Sequence, residues 1–159
     1  MQEKQLRINV IASNFDELNE IERQLLIKAK EAAQSSYAPY SKFHVGAAVL
    51  LENGEVIQGS NQENVAYPSG LCAERVTMFY ANSKFPDVAP KMLAIAALSQ
   101  EGFLHNPISP CGSCRQVLLE TEMRYGKNIE VLLFGTDVIY KLKSSKDLLP
   151  LAFEKLHNL

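Results

Sequence analysis

The sequence predicts an α/β fold, a three-layer α/β/α sandwich around a mixed sheet of about five strands. Three observations carry that expectation. Strand-like apolar runs alternate with helical patterns along the chain, Asn53-Gly54 joins two such runs in the manner of a hairpin, and MLAIAALS is a short continuous apolar run suited to a strand buried on both faces.

Each element has a local reason. LRINVIA near the start is a candidate strand, and Ser13 followed by Asp16 predicts a helix through DELNEIERQLLIKAKEAAQSS, where Leu18, Ile21, Leu25, Ala29 and Ala32 recur at helical spacing. FHVGAAVLLE and EVIQGSN form the hairpin. A loop ending near Pro68-Ser69-Gly70 opens a helix that carries Cys72 and runs to about Asn82. Beyond MLAIAALS, Ser109-Pro110 reads as an N-cap with proline in the first turn, opening the helix CGSCRQVLLETEM. IEVLLFG and VIYKLK follow as strands around Gly135-Thr136-Asp137, and a last helical segment is expected from Leu148. Residues 1–14 read as an N-terminal extension, a candidate added strand to cover a sheet edge or pair between subunits, and residues 15–159 as a single catalytic domain.

Composition narrows the partners. Apolar residues at 47% and charged residues at 21% are those of an ordinary globular domain, and a net charge of −2 offers no basic field for a polynucleotide backbone. A small-molecule partner is expected, with neither nucleic acid nor membrane. No apolar run is long enough to span a bilayer, and MQEKQLRINV lacks the parts of a signal peptide, so a cytoplasmic location is expected. The three cysteines are an odd number with two of them close together, which suits metal ligation in a reducing compartment better than a disulfide framework.

All three cysteines fall at expected helix starts. Cys111 and Cys114, three residues apart, put their sulfurs on one side of a first turn, where both can grip one ion. Cys72 and Glu74 are two apart and share a site only if the ion sits at the helix end, where the positive end of the helix dipole favours thiolates. Three thiolates leave a fourth zinc position open, the mark of a catalytic site, and Glu74 then becomes the proton carrier beside it.

Cys72-Ala73-Glu74-Arg75 together with Pro110-Cys111-Gly112-Ser113-Cys114-Arg115-Gln116 resembles the zinc signature of the cytidine deaminase family. The likeness extends through Tyr37–Phe43, Val45–Ala48, Asn61–Asn64 and Tyr67 to Leu148–Pro150 and Phe153. The short chain with a cysteine first ligand is similar to the small homotetrameric class. The resemblance implies one zinc per subunit and hydrolytic deamination of cytidine and deoxycytidine to the uridine products in pyrimidine salvage. It further implies that Phe43 packs on the pyrimidine, that Asn61 and Glu63 bind sugar hydroxyls, that the Ala73 backbone and the Glu74 carboxylate read the base edge, and that Tyr67 and Phe153 complete a neighbouring subunit's pocket. Zinc with three thiolates carries a formal charge of −1, and Arg75 and Arg115 are expected to offset it by donating to the sulfurs.

Two other readings compete. One is a deaminase of a nucleoside-like antibiotic of the blasticidin S type, against which the Asn61–Asn64 stretch points to an ordinary sugar. The other is a non-catalytic, zinc-stabilised binding module with a closed site, in which His105 is the fourth ligand. His44 and His157 receive no role.

Overall fold

Side-chain alternation along the strand Pro90–Ser99 splits the core into two layers. Leu93, Ile95 and Ala97 join one buried cluster and Met92, Ala94 and Ala96 the other, as the period of two in an extended chain requires. In the computed structural model, which describes residues 1–154, this strand is β4 of a seven-stranded sheet. Its companions are β1 (Ile11–Ser13), β2 (His44–Leu51), β3 (Val56–Ser60), β5 (Gly102–Phe103), β6 (Glu130–Leu133) and β7 (Ile139–Leu142).

The order is β1-β7-β6-β4-β2-β3, with β5 attached to β4. β4 and β6 are parallel and all other pairs are antiparallel, so the sheet is mixed. Parallel neighbours need a crossover, which helix α3 (Gly112–Tyr125) supplies. Helix α1 (Glu20–Gln34) covers one face through Leu25, Leu26 and Ala29; α2 (Ala73–Lys84) and α3 cover the other through Met78, Ala81 and Leu118. These are the expected three layers.

α1 lies so near the sheet that a Cβ on Gly46 of β2 would stand 2.1 Å from the Ala29 carbonyl oxygen and 2.2 Å from the Ala33 nitrogen. Only glycine permits that approach. Asn53-Gly54 makes the expected hairpin, with Gly54 at φ 87°.

Several expectations need correction. The sheet has seven strands rather than about five because the N-terminal segment adds β1 and a turn after β4 folds back as β5. β1 spans Ile11–Ser13 rather than all of LRINVIA, and it pairs with β7 of its own chain, covering that edge. The first helix does not start at Ser13. Asn14 caps a single 3-10 turn, Phe15–Glu17, and Asn19 then caps α1, each in a capping box with the glutamate three residues on. Ile21 is accordingly exposed while Leu18, ahead of the helix, is buried. Leu148 ends a 3-10 turn, Ser145–Leu148, and opens no helix; the portion of that expectation beyond Glu154, and His157, lie outside the described residues.

Candidate active site

The N-cap position of a helix normally holds Ser, Thr, Asp or Asn, whose oxygen accepts from the first-turn amides. Here α2 is capped by Cys72 and α3 by Cys111, both extended in backbone and neither making a side-chain capping bond. The sulfurs are thereby left for one another. Ser109, the expected cap of α3, sits two residues too early.

Cys72 Sγ lies 3.7 Å from Cys111 Sγ, and Cys111 Sγ lies 3.4 Å from Cys114 Sγ. All three ligand atoms fall within 4.8 Å of one another. A tetrahedral zinc with bonds of about 2.3 Å holds its sulfurs about 3.8 Å apart, so the cluster has the size and the donor chemistry for zinc. Its protonation fits the same use. Cys72 is lowered to about 5, first by its hydrogen bond with Cys114 and then by Arg75. The Cys114 thiol is pushed up, mainly because it shares that bond with Cys72. One thiolate held by a neighbour's proton is an arrangement in which a cation takes the proton's place.

Glu74, in the first turn of α2, is only 5% exposed. Burial, more than any neighbouring charge, raises its carboxyl above the ordinary glutamate value. A carboxyl so placed beside the sulfurs is suited to accept and return protons. Arg75 turns to the cluster: its Nη2 is 3.9 Å from Cys72 Sγ, and its Nε is buried without a partner among the described residues.

A cavity of about 600 Å³ opens over Cys72 and Arg75. Asn61, Glu63 and Tyr67 line it, with Tyr40, Ser41 and Gln62, which the sequence reading gave no role. The Glu63 carboxylate accepts from the Tyr40 amide at 2.8 Å and the Ser41 amide at 3.3 Å, and its acidity is strengthened first by the Ser41 hydroxyl. Asn61 accepts from the Val45 amide at 2.7 Å and donates to the Phe43 carbonyl at 2.9 Å, so its amide aligns the strand that begins beside Phe43. Gln62 pins both walls: its amide and carbonyl pair with Leu71, and it bridges to Tyr37. Such backbone pairings between distant loops carry no local sequence signal.

The remaining candidates separate by position. Ala73 is fully buried at the first residue of α2. Phe43 is half-buried and packs against the cluster beneath α2 and α3. Tyr67 is 78% exposed and stands edge-on to Tyr40 at 6.3 Å, and Phe153 is 83% exposed. Arg115 is a correction, because it donates to carbonyl oxygens, Pro110 at 2.7 Å and Leu148 at 2.8 Å, instead of to a sulfur. One residue after Cys114, it projects about 100° round the helix from that ligand. His105 is also not in the sulfur group; its Nδ1 lies 3.0 Å from Asp137 and 3.1 Å from Thr136.

Residues 19–126 match the model of the cytidine and deoxycytidylate deaminase zinc-binding region. A cytidine deaminase of Halalkalibacterium halodurans is 44% identical over 101 residues, covering 63% of this chain and 72% of that protein. The crystal structure of cytidine deaminase from Burkholderia pseudomallei aligns at a TM-score of 0.69 with 37% identity, covering 86% of this chain and 100% of that one. The cytidine deaminase structure from Mycobacterium tuberculosis aligns at 0.67 with 34% identity, again over 86% of this chain and 100% of that one.

Proposed function

The chain belongs to the cytidine and deoxycytidylate deaminase family, and from that premise we propose that it hydrolyses cytidine and deoxycytidine to uridine and deoxyuridine with release of ammonia. The observation that carries this reading is the convergence of three sulfurs with a buried carboxyl beside them, Cys72 also standing in the wall of a cavity lined largely by polar residues. Cys72, Cys111 and Cys114 would hold the zinc. When bound, it supplies a Lewis acid that makes a water nucleophilic near neutral pH.

Glu74 does the proton work. It accepts the proton of the attacking water and delivers it to ring N3 as C4 is hydrated, then takes the proton of the new C4 hydroxyl and passes it to the amine as the C4–N bond breaks and the C4 carbonyl forms. Its raised affinity for protons, caused by burial, favours that exchange. Ala73, locked at the helix start, presents its backbone to the base edge, and Phe43 packs on the pyrimidine.

Sugar recognition falls to Asn61 and Glu63. A carboxylate has about four acceptor sites, and with two amides and the Ser41 hydroxyl taken, Glu63 retains capacity for a substrate hydroxyl. The cavity favours a nucleoside over a phosphorylated one, since it carries the Glu63 carboxylate and its cation, Arg75, faces Cys72. Tyr67 and Phe153, largely exposed aromatics, suit burial against another copy, in keeping with a homotetramer whose pockets are shared. Work in the cytoplasm in pyrimidine salvage accords with three free thiols. No described helix is long and apolar enough to cross a membrane.

The test is a substrate panel followed by ultraviolet absorbance: cytidine, deoxycytidine, cytosine, blasticidin S and a short single-stranded oligonucleotide. Turnover confined to the two nucleosides is expected. Turnover of blasticidin S alone, or of none, would overturn the reading.

A further inference from the structure

Arg115 follows the ligand Cys114 yet makes its bonds to backbone carbonyls and not to a sulfur. Its Nε donates to the carbonyl of Pro110 at 2.7 Å and its Nη1 to the carbonyl of Leu148 at 2.8 Å. Pro110 is the residue immediately before Cys111, the most exposed of the three thiols. With no capping bond from its own side chain, Cys111 is aimed by its backbone, and Arg115 grips that backbone one residue ahead of it, at the Pro110 carbonyl.

The second carbonyl belongs to a segment that runs back along the same helix. Near the far end of α3, the buried Glu122 carboxylate accepts from Ser144 Oγ at 2.9 Å and from the Ser145 amide at 2.8 Å. Arg115 then takes Leu148, and Gln116 Nε2 donates to the Phe153 carbonyl at 2.9 Å. Residues 144–153 therefore form a strap fastened to α3 at three points, with Arg115 joining it to the loop that presents Cys111.

We propose that Arg115 is a positioning residue that couples retention of the metal to the seating of this C-terminal strap. The inference rests on the ligand set assigned above. The coupling is reciprocal, because an interaction that links two ordered elements must let each stabilise the other. A guanidinium is needed for it, since its planar fork reaches two carbonyls at once while a lysine ammonium is a single point on a flexible stem.

The experiment compares the zinc-loaded protein with Arg115→Ala, Arg115→Lys and Gln116→Ala by competition with a chromogenic chelator. It adds hydrogen exchange over residues 148–153 in the zinc-loaded and zinc-stripped wild type. Arg115→Ala should hold zinc roughly 10- to 100-fold more weakly, as loss of an outer partner of a metal ligand usually does, and Arg115→Lys should restore little of it. Gln116→Ala, which frees only the outer end of the strap, should keep wild-type affinity. Stripping zinc from the wild type should speed exchange in 148–153 while leaving β4 protected, a local response that a merely structural arginine would not produce. Wild-type zinc affinity in Arg115→Ala or Arg115→Lys, or exchange in 148–153 indifferent to zinc, would overturn the coupling. Should Arg115→Ala fail to fold, Arg115→Lys and the wild-type exchange still decide it. A wild type that takes up no zinc would instead refute the ligand assignment itself.

Discussion

Replacing Arg75 by alanine removes the cation nearest the sulfurs while sparing every ligand. Arg75 Nη2 is 3.9 Å from Cys72 Sγ. At that separation a unit charge pair is worth about 1 kcal/mol in a water-like medium and about 4 kcal/mol at an effective dielectric of about 20. Arg75 is partly open to solvent, which moves the expectation away from both ends of that range and well below its top. A loss of about 1.4–2.8 kcal/mol is roughly 10- to 100-fold in zinc affinity, within the range seen when an outer partner of a metal ligand is removed. Chelator competition measures it. In the stripped protein the same substitution should raise the Cys72 thiol above about 5, but only in part, because the hydrogen bond with Cys114 is the larger cause and survives. Titration of thiolate absorbance reads that shift. Wild-type zinc affinity, an unmoved Cys72 and unchanged turnover in Arg75→Ala would together refute charge compensation by this residue.

Three further outcomes are expected. Glu63→Ala should lower kcat/KM for cytidine roughly 10- to 100-fold, from loss of a charge-assisted hydrogen bond worth about 1.5–3 kcal/mol, and an unchanged value would remove Glu63 from substrate binding. Gly46→Ala should destabilise the protein by about 3 kcal/mol or more, a fall in Tm of roughly 6–12 °C by calorimetry, because the new methyl meets the backbone of α1 and not a side chain that can yield; an unaltered Tm would contradict the close seating of that helix. Zinc uptake by the stripped protein should release protons to an indicator dye and tighten as pH rises. The sign follows from Cys114, whose raised pKa keeps it protonated at neutral pH until the metal displaces the proton; uptake without release would contradict that.

Local signals in the chain carried the hairpin at Asn53-Gly54, the strand MLAIAALS and the placement of the cysteines at helix starts. Each depends on residues near one another: a turn that needs positive φ, a doubly buried strand, a first-turn spacing of three. Ser109 was a misleading cap because preference favours its hydroxyl, whereas the cap is a thiol whose use lies outside the helix. Asn14 and Asn19 are obscured for a related reason, as two capping boxes in succession interrupt a pattern that otherwise reads as one helix. What long-range packing decides was hidden. Arg115 looked like a sulfur donor from its place beside Cys114, but its second partner, Leu148, is 33 residues away in sequence. The extra strand β1 pairs only Ile11–Ser13 with Ile139–Lys141 of β7, a long-range register that LRINVIA does not itself signal.

Glu74→Gln, loaded with zinc and assayed on cytidine, tests the central claim most directly. Glu74 is placed as the proton carrier and not as a ligand, so the variant should bind one zinc per chain, as the proposed site implies, while losing roughly 10²- to 10⁴-fold in kcat. A variant that holds zinc and deaminates cytidine at the wild-type rate would contradict the account.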